Sequence, residues 1–248
     1  MKILKENTSD QVAQARKDVV GLYKTWPVPD NEILQNLPLF LGPMVLKKIL
    51  FLHELYVKSL EIAGVITEFG VRWGPGQATF HALRTLYEPF NYTRRIIGFD
   101  TFSGFPEVDA KDGNEEVANV GGYDLPEGYE GFLTKVMVAR EMEAPVSNVN
   151  KFELVKGDAS KTVPEYLEKH PEMMISLAYF DFDIYQPTID CLKAIEDRLS
   201  VGSVIAFDEL NLQQFPGETV AVREFFGNKV RIHRSPFSQN QAYIVWGE

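Results

Sequence analysis

The chain has 248 residues, 45% of them hydrophobic and 24% charged, which suits one large globular domain with or without an extension and excludes disorder as its main state. Its 25 Lys+Arg against 35 Asp+Glu leave a net charge of −10, which repels phosphate backbones, so nucleic acid is not an expected partner. The single cysteine, Cys191, allows no internal disulfide, and the cytoplasm is the expected compartment.

Met1 to Asp10 carries charges where a signal peptide needs an apolar core, and no segment approaches the ~20 apolar residues that span a bilayer. No membrane association is expected. Asp10 to about Tyr23 is predicted helical, capped by Ser9 or Asp10. The apolar run Leu37 to Leu52 is broken by Pro38, Pro43, Lys47 and Lys48 and reads as a buried helix. Pro43 to Ala63 has apolar positions near helical period and stops at Gly64.

From residue 65 strand-like and helical patterns alternate, the signature of βαβ units around a mostly parallel sheet. The strands are 65–69, 95–100, 152–158, 175–183 and 202–207; helices are expected over 77–87, 163–170, 188–199 and 218–226. Residues 106–150 interrupt the alternation with Gly121-Gly122, several carboxylates and an amphipathic stretch from Tyr129 to Met142, too long for an ordinary loop. Residues 230–234 and 242–246 close the chain as strands that must pair antiparallel, because no helical crossover fits between them. The expected domains are a helical cover, 1–64, and an α/β domain, 65–248, whose insertion 106–150 forms a substrate lid.

Ligands of open parallel sheets bind beyond the carboxyl ends of the strands. Those ends carry Glu68 and Gly70, Asp100, Asp158, Asp181 with Asp183, and Asp208 with Glu209. A single acidic strand end is an ordinary helix cap. All five strands ending in carboxylates make a rim that needs a cation or a hydroxyl-rich ligand to compensate it. The turn Gly70-Val71-Arg72-Trp73-Gly74-Pro75-Gly76 lacks both the G-x-G-x-x-G spacing of dinucleotide sites and the lysine of a P-loop. With Glu68 before it and Asp100 placed to accept both hydroxyls of a ribose, it suits a ligand carrying an ammonium and a ribose. S-adenosylmethionine, with its cationic sulfonium, meets that description.

The segments Ile66-Thr67-Glu68-Phe69-Gly70-Val71, Ile97-Gly98-Phe99-Asp100-Thr101-Phe102-Ser103-Gly104-Phe105-Pro106, Val155-Lys156-Gly157-Asp158 and Asp181-Phe182-Asp183-Ile184-Tyr185-Gln186-Pro187-Thr188 resemble the macrocin O-methyltransferase (TylF) family. These class I S-adenosylmethionine-dependent enzymes methylate sugar hydroxyls of antibiotics or of their nucleotide-sugar precursors. The resemblance runs from about residue 50 to 226 and implies a Rossmann-like three-layer fold, with a seven-stranded, mostly parallel sheet and a C-terminal antiparallel hairpin. It places Glu68 and Gly70 at the methionine part of the cofactor, Asp100, Thr101 and Ser103 at the ribose, and Asp158 with Ala159 at the adenine. Asp181 is expected to support the cofactor or a metal shell, sharing its side of the strand with Asp183.

Relatives hold a magnesium ion with an aspartate after strand four and an acidic pair after strand five; Asp183, Asp208 and Glu209 match those positions. The family's usual second aspartate is here Glu209, whose extra methylene displaces the carboxylate. Oxygen ligands alone suit magnesium or calcium, not zinc. Transfer of a methyl group to a sugar hydroxyl needs in-line alignment and a base or metal to take or weaken the hydroxyl proton. Asp183 is the first candidate, and His53, mid-helix ahead of the first strand, the second. Tyr123, Tyr129 and Phe132 are candidates for stacking on the acceptor; Arg72, Arg140 and Arg223 are candidate partners for a nucleotide-sugar diphosphate. Relatives commonly dimerise, and the apolar N-terminal helices are expected to bury an interface between copies. An oxidoreductase or epimerase, a magnesium-dependent hydrolase and a non-catalytic module on the same fold are the competing readings.

Overall fold

Alternation of β-branched and aromatic residues with helix-forming stretches produces a seven-stranded sheet in the order β3-β2-β1-β4-β5-β7-β6. The strands are β1 (Val65–Phe69), β2 (Ile96–Asp100), β3 (Phe152–Lys156), β4 (Ile175–Phe180), β5 (Leu199–Phe207), β6 (His233–Arg234) and β7 (Ala242–Val245). The computed structural model describes residues 9–248; residues 1–8, which carry most of the reading of the N-terminus, lie outside them. The first five strands run parallel, and β7 pairs antiparallel with both β5 and β6. This is the expected class I methyltransferase sheet with its terminal hairpin.

The helices are α1 (Asp10–Lys24), the short α2 (Ile33–Asn36), α3 (Pro43–Ser59), α4 (Pro75–Tyr87), α5 (Tyr129–Glu143), α6 (Ala159–Lys169), α7 (Tyr185–Ile195) and α8 (Gly217–Phe226). Ser9 caps α1 by accepting from the Val12 amide. Strand side chains alternate between the two faces. Phe69, Phe99, Phe180 and Phe207 join Val163, Leu192 and Val222 of α6, α7 and α8 in one apolar layer. Ile66, Leu177, Tyr179 and Val204 pack on the other face against Phe51, Leu55 and Phe80 of α3 and α4. Cys191 is a buried packing residue of the first layer, as its sequence context suggests.

Most of the insertion's second half is pinned. Leu133 and Met137 of α5 bury against Val71, Phe102 and Phe152. Glu141 meets Lys151 Nζ at 2.5 Å and Arg84 at 3.3 Å inside the protein, an arrangement that tethers α5 because each buried charge depends on its partners. Among the described residues no single helix is long and apolar enough to cross a membrane.

Several boundaries differ from expectation. α6 begins at Ala159, where Asp158 caps it, and continues through Pro164 in its middle, which lacks the amide hydrogen for one intrahelical bond. β5 begins at Leu199, following a 3₁₀ turn that ends α7 early. β4 ends at Phe180, so Asp181 and Asp183 stand in the loop beyond it and the alternation invoked for them does not apply.

Candidate active site

Strand order reverses at β1, which lies between β2 and β4, and the crevice beyond this switch point is where open α/β sheets bind ligands. Register does the rest. Glu68 lies opposite Tyr179, and Phe180 opposite both Phe69 and Phe207; the Asp181 amide donates to Phe69 O at 2.7 Å and the Asp208 amide to Phe180 O at 3.0 Å. Neighbouring strands ~4.8 Å apart therefore deliver their terminal carboxylates side by side. They line a cavity of about 260 Å³ that includes Glu68, Gly70, Asp100, Thr101, Asp158, Ala159, Asp181, Asp183, Asp208 and Glu209.

The glycine turn is shaped by two close approaches. A Cβ on Gly70, whose φ is +94°, would lie 2.1 Å from Asp181 O. A Cβ on Gly76 would lie 1.8 Å from Glu68 Oε1, so only glycine lets the start of α4 close over that carboxylate. Glu68 accepts from Gln77 Nε2 at 2.8 Å and is 1% exposed. Burial pushes its pKa up to about 8, with repulsion from Asp181 and Asp100 adding to the shift and Gln77 and Lys48 opposing it.

Asp100 has a different duty from the one its position suggests. Its Oδ2 accepts from the Val71 and Arg72 amides, both at 2.7 Å, and its Oδ1 from the Phe102 amide at 2.6 Å. A carboxylate has about four acceptor sites, so one remains: Asp100 organises the cofactor loop and cannot take both ribose hydroxyls while holding these amides. Asp158 caps α6 through the Ser160 amide at 3.1 Å and pairs with Lys161 at 2.8 Å. Thr101 Oγ1 donates to Gly104 O at 2.6 Å. Ser103 is exposed and does not line the cavity.

Lys48 was missed as a site residue. Its Nζ lies 2.7 Å from Asp181 Oδ2 and 3.5 Å from Asp208 Oδ2, with the Tyr179 ring centroid 5.6 Å away. The two carboxylates hold the lysine pKa above its ordinary value against the opposing effect of burial. The signal was in the helix: Lys48, Phe51, Leu52, Leu55 and Tyr56 stand at i, i+3, i+4, i+7 and i+8, so this lysine falls on the buried stripe of α3.

The expected cation cage of Asp183, Asp208 and Glu209 does not form. Asp208 accepts from Tyr179 Oη at 2.6 Å, from Gln241 Nε2 and from Lys48, and its pKa is held below the ordinary value by Lys48 and these hydrogen bonds despite burial. Among the described residues no group of three His, Cys, Asp or Glu stands where it could hold a metal ion. Lysine already supplies the positive charge at Asp208, so the donor set does not fit a three-carboxylate magnesium site.

Asp183 and Glu209 both line the cavity. Asp183 has a φ of +65°, an uncommon conformation for a non-glycine residue, and burial followed by the charges of Glu209, Asp181 and Glu218 raises its pKa well above the usual carboxylate range. Burial and the neighbouring Asp208 and Asp181 push Glu209 up to about 7, and its Oε2 is buried without a partner. Glu209 therefore exchanges its proton near neutral pH. His53 leaves the site altogether: its Nε2 lies 2.6 Å from Tyr87 Oη and it does not line the cavity.

No protein-family model matches the sequence, and no curated protein matches it. Among solved structures, the calicheamicin methyltransferase CalS11 is 39% identical, with a TM-score of 0.95 over 100% of this chain and 98% of its own. The apo structure of CalS11, a TDP-rhamnose 3′-O-methyltransferase of calicheamicin biosynthesis, is 37% identical with a TM-score of 0.86 over 98% of this chain and 97% of its own. The chain belongs to this family of sugar O-methyltransferases. The O-methyltransferase NovP, 17% identical with a TM-score of 0.60 over 80% of this chain and 79% of its own, shares the fold. The enzyme is an S-adenosylmethionine-dependent O-methyltransferase.

Proposed function

We propose that the acceptor is a hydroxyl of a deoxysugar carried on a nucleoside diphosphate, and that Asp183 is the base. The observation that carries the reading is the coupled Asp183–Glu209 pair at the edge of a cavity rimmed by Glu68, Asp100 and Asp181. The acidic rim favours a cationic sulfonium. The acceptor oxygen attacks the methyl carbon as the carbon–sulfur bond breaks, its electron pair passing to sulfur to leave neutral S-adenosylhomocysteine, while the hydroxyl proton moves to the Asp183–Glu209 pair. Glu209, pushed up to about 7 beside Asp183, keeps a proton acceptor near the working pH, as proton transfer from a weakly acidic hydroxyl needs. The nucleotide-sugar class is supported by the full-length likeness to an enzyme that methylates TDP-rhamnose.

The 106–128 portion of the insertion acts as the acceptor cover, since Pro106, Gly122 and Tyr123 line the cavity while α5 is held down by its buried contacts. A second copy of the chain covers the N-terminal extension: α1 buries none of its residues, and Val20, Leu22, Tyr23, Leu39, Met44 and Val45 are exposed. Apolar patches of this extent mark association surfaces.

Asp183→Asn tests the central assignment. It is expected to keep the parent's affinity for S-adenosylhomocysteine within about twofold and to lower methyl transfer by about 10²–10⁴-fold. Transfer at the parent rate would overturn Asp183 as the base.

A further inference from the structure

Three arginines were candidates for an acceptor anion, and the structure separates them. Arg140 is exposed and pairs with Glu143 at 2.8 Å, and Arg223 is exposed on α8. Arg72 lines the cavity. Its guanidinium carbon lies 4.2 Å from the centroid of the Tyr123 ring, and its Nε is buried without a hydrogen-bond partner. The described cations lining this cavity are Lys48 and Arg72; Lys48 is engaged by Asp181 and Asp208.

Both members of the stacked pair are held in an uncommon backbone conformation, with φ of +50° at Arg72 and +60° at Tyr123. Strain of this kind persists at ligand clamps, where surrounding contacts enforce it. Here Asp100 Oδ2 fixes the Arg72 amide, and the Tyr123 ring lies against Phe105 at 5.5 Å and Phe215 at 6.3 Å. Tyr123 belongs to the insertion proposed above as the acceptor cover, and it lines the cavity together with Asp183 and Glu209, so the guanidinium stacked on it lies on that side of the cavity. A planar guanidinium with open donors is the group best matched to phosphate oxygens.

We infer that Arg72, carried on the face of Tyr123, is the residue that binds the acceptor's diphosphate and so selects a nucleotide sugar over an uncharged glycoside. The inference rests on the nucleotide-sugar reading above and deepens it. It also gives the glycine turn two duties, its backbone serving the cofactor and its one arginine serving the acceptor.

The test is calorimetric titration of TDP and of thymidine into the enzyme saturated with S-adenosylhomocysteine, for the parent, Arg72→Gln and Tyr123→Leu. The parent is expected to bind TDP more tightly than thymidine, and Arg72→Gln to lose about ten- to hundredfold of TDP affinity while thymidine and S-adenosylhomocysteine affinities stay within about twofold. Tyr123→Leu, which removes the platform but keeps the charge, should lose part of the same preference. Unchanged TDP affinity in Arg72→Gln overturns the inference. So does a fall in S-adenosylhomocysteine affinity with TDP binding intact, which would assign Arg72 to the cofactor's carboxylate. If the parent binds S-adenosylhomocysteine but not TDP, the inference fails while the methyltransferase activity stands; transfer to uncharged glycosides alone would remove the nucleotide-sugar reading itself.

Discussion

Glu68 is expected to make cofactor affinity depend on pH. Its carboxyl is enclosed by Gly76 and Gln77 and its pKa is pushed up to about 8, so in the ligand-free enzyme at about pH 7 it is roughly nine-tenths protonated. The cofactor's cationic end favours the ionised form. Binding must therefore expel this proton, and affinity for S-adenosylhomocysteine, whose amino group is charged in this range, should rise by about tenfold from pH 6 to pH 7 through this residue. Glu68→Gln removes the titrating group while keeping a side chain of nearly the same shape. The expected result is that the slope of log affinity against pH falls by about one relative to the parent. Titrations in buffers of different ionisation enthalpy should also show about one fewer proton released. Equal slopes and equal proton release in the two proteins would refute the reasoning. The same shift fixes a stability trend. Because the folded state holds this proton more tightly than the unfolded chain, the contribution is full below the ordinary carboxyl pKa of 4.5 and is lost as pH rises through about 8. The melting temperature of the ligand-free parent should thus fall relative to Glu68→Gln over that window.

Lys48→Met leaves Asp181 and Asp208 without their cation; urea unfolding should show a loss on the order of 2–4 kcal/mol, and adding Asp208→Asn should recover part of it. Asp100→Ala frees the Val71, Arg72 and Phe102 amides, so both stability, by about 1–3 kcal/mol, and S-adenosylhomocysteine affinity, by more than about tenfold, should fall together. Gly70→Ala forces a Cβ to within 2.1 Å of Asp181 O at a φ of +94°; thermal unfolding should show a loss above about 2 kcal/mol, and a wild-type melting temperature would contradict the described turn.

The order of strands and helices was legible because period-two and period-3.6 patterns are local, and the acidic strand ends were legible because each lies at or just beyond the end of its own strand. What pairs with those acids was not. Lys48 lies 133 positions from Asp181, and only the stripe it shares with Phe51 and Leu55 hints at burial. Asp100 illustrates a second limit: its place at the end of β2 is legible in the sequence, but its three bonds to backbone amides depend on how Val71 and Phe102 turn, which no side-chain pattern encodes. His53 was misassigned because a helix covering the site presents only one of its faces to it; the partner of His53 is Tyr87. The three-carboxylate magnesium site was read by analogy of position, without the lysine and the Tyr179 and Gln241 contacts that engage Asp208.

Product analysis by nuclear magnetic resonance tests oxygen-methylation of a sugar in the acidic cavity most directly. The enzyme is incubated with methyl-labelled S-adenosylmethionine and TDP-rhamnose. The predicted result is a labelled methoxyl group on a sugar carbon, with one S-adenosylhomocysteine formed per methyl transferred. Cofactor that binds while the label reaches no sugar hydroxyl, across a panel of nucleotide sugars and glycosides, would contradict it.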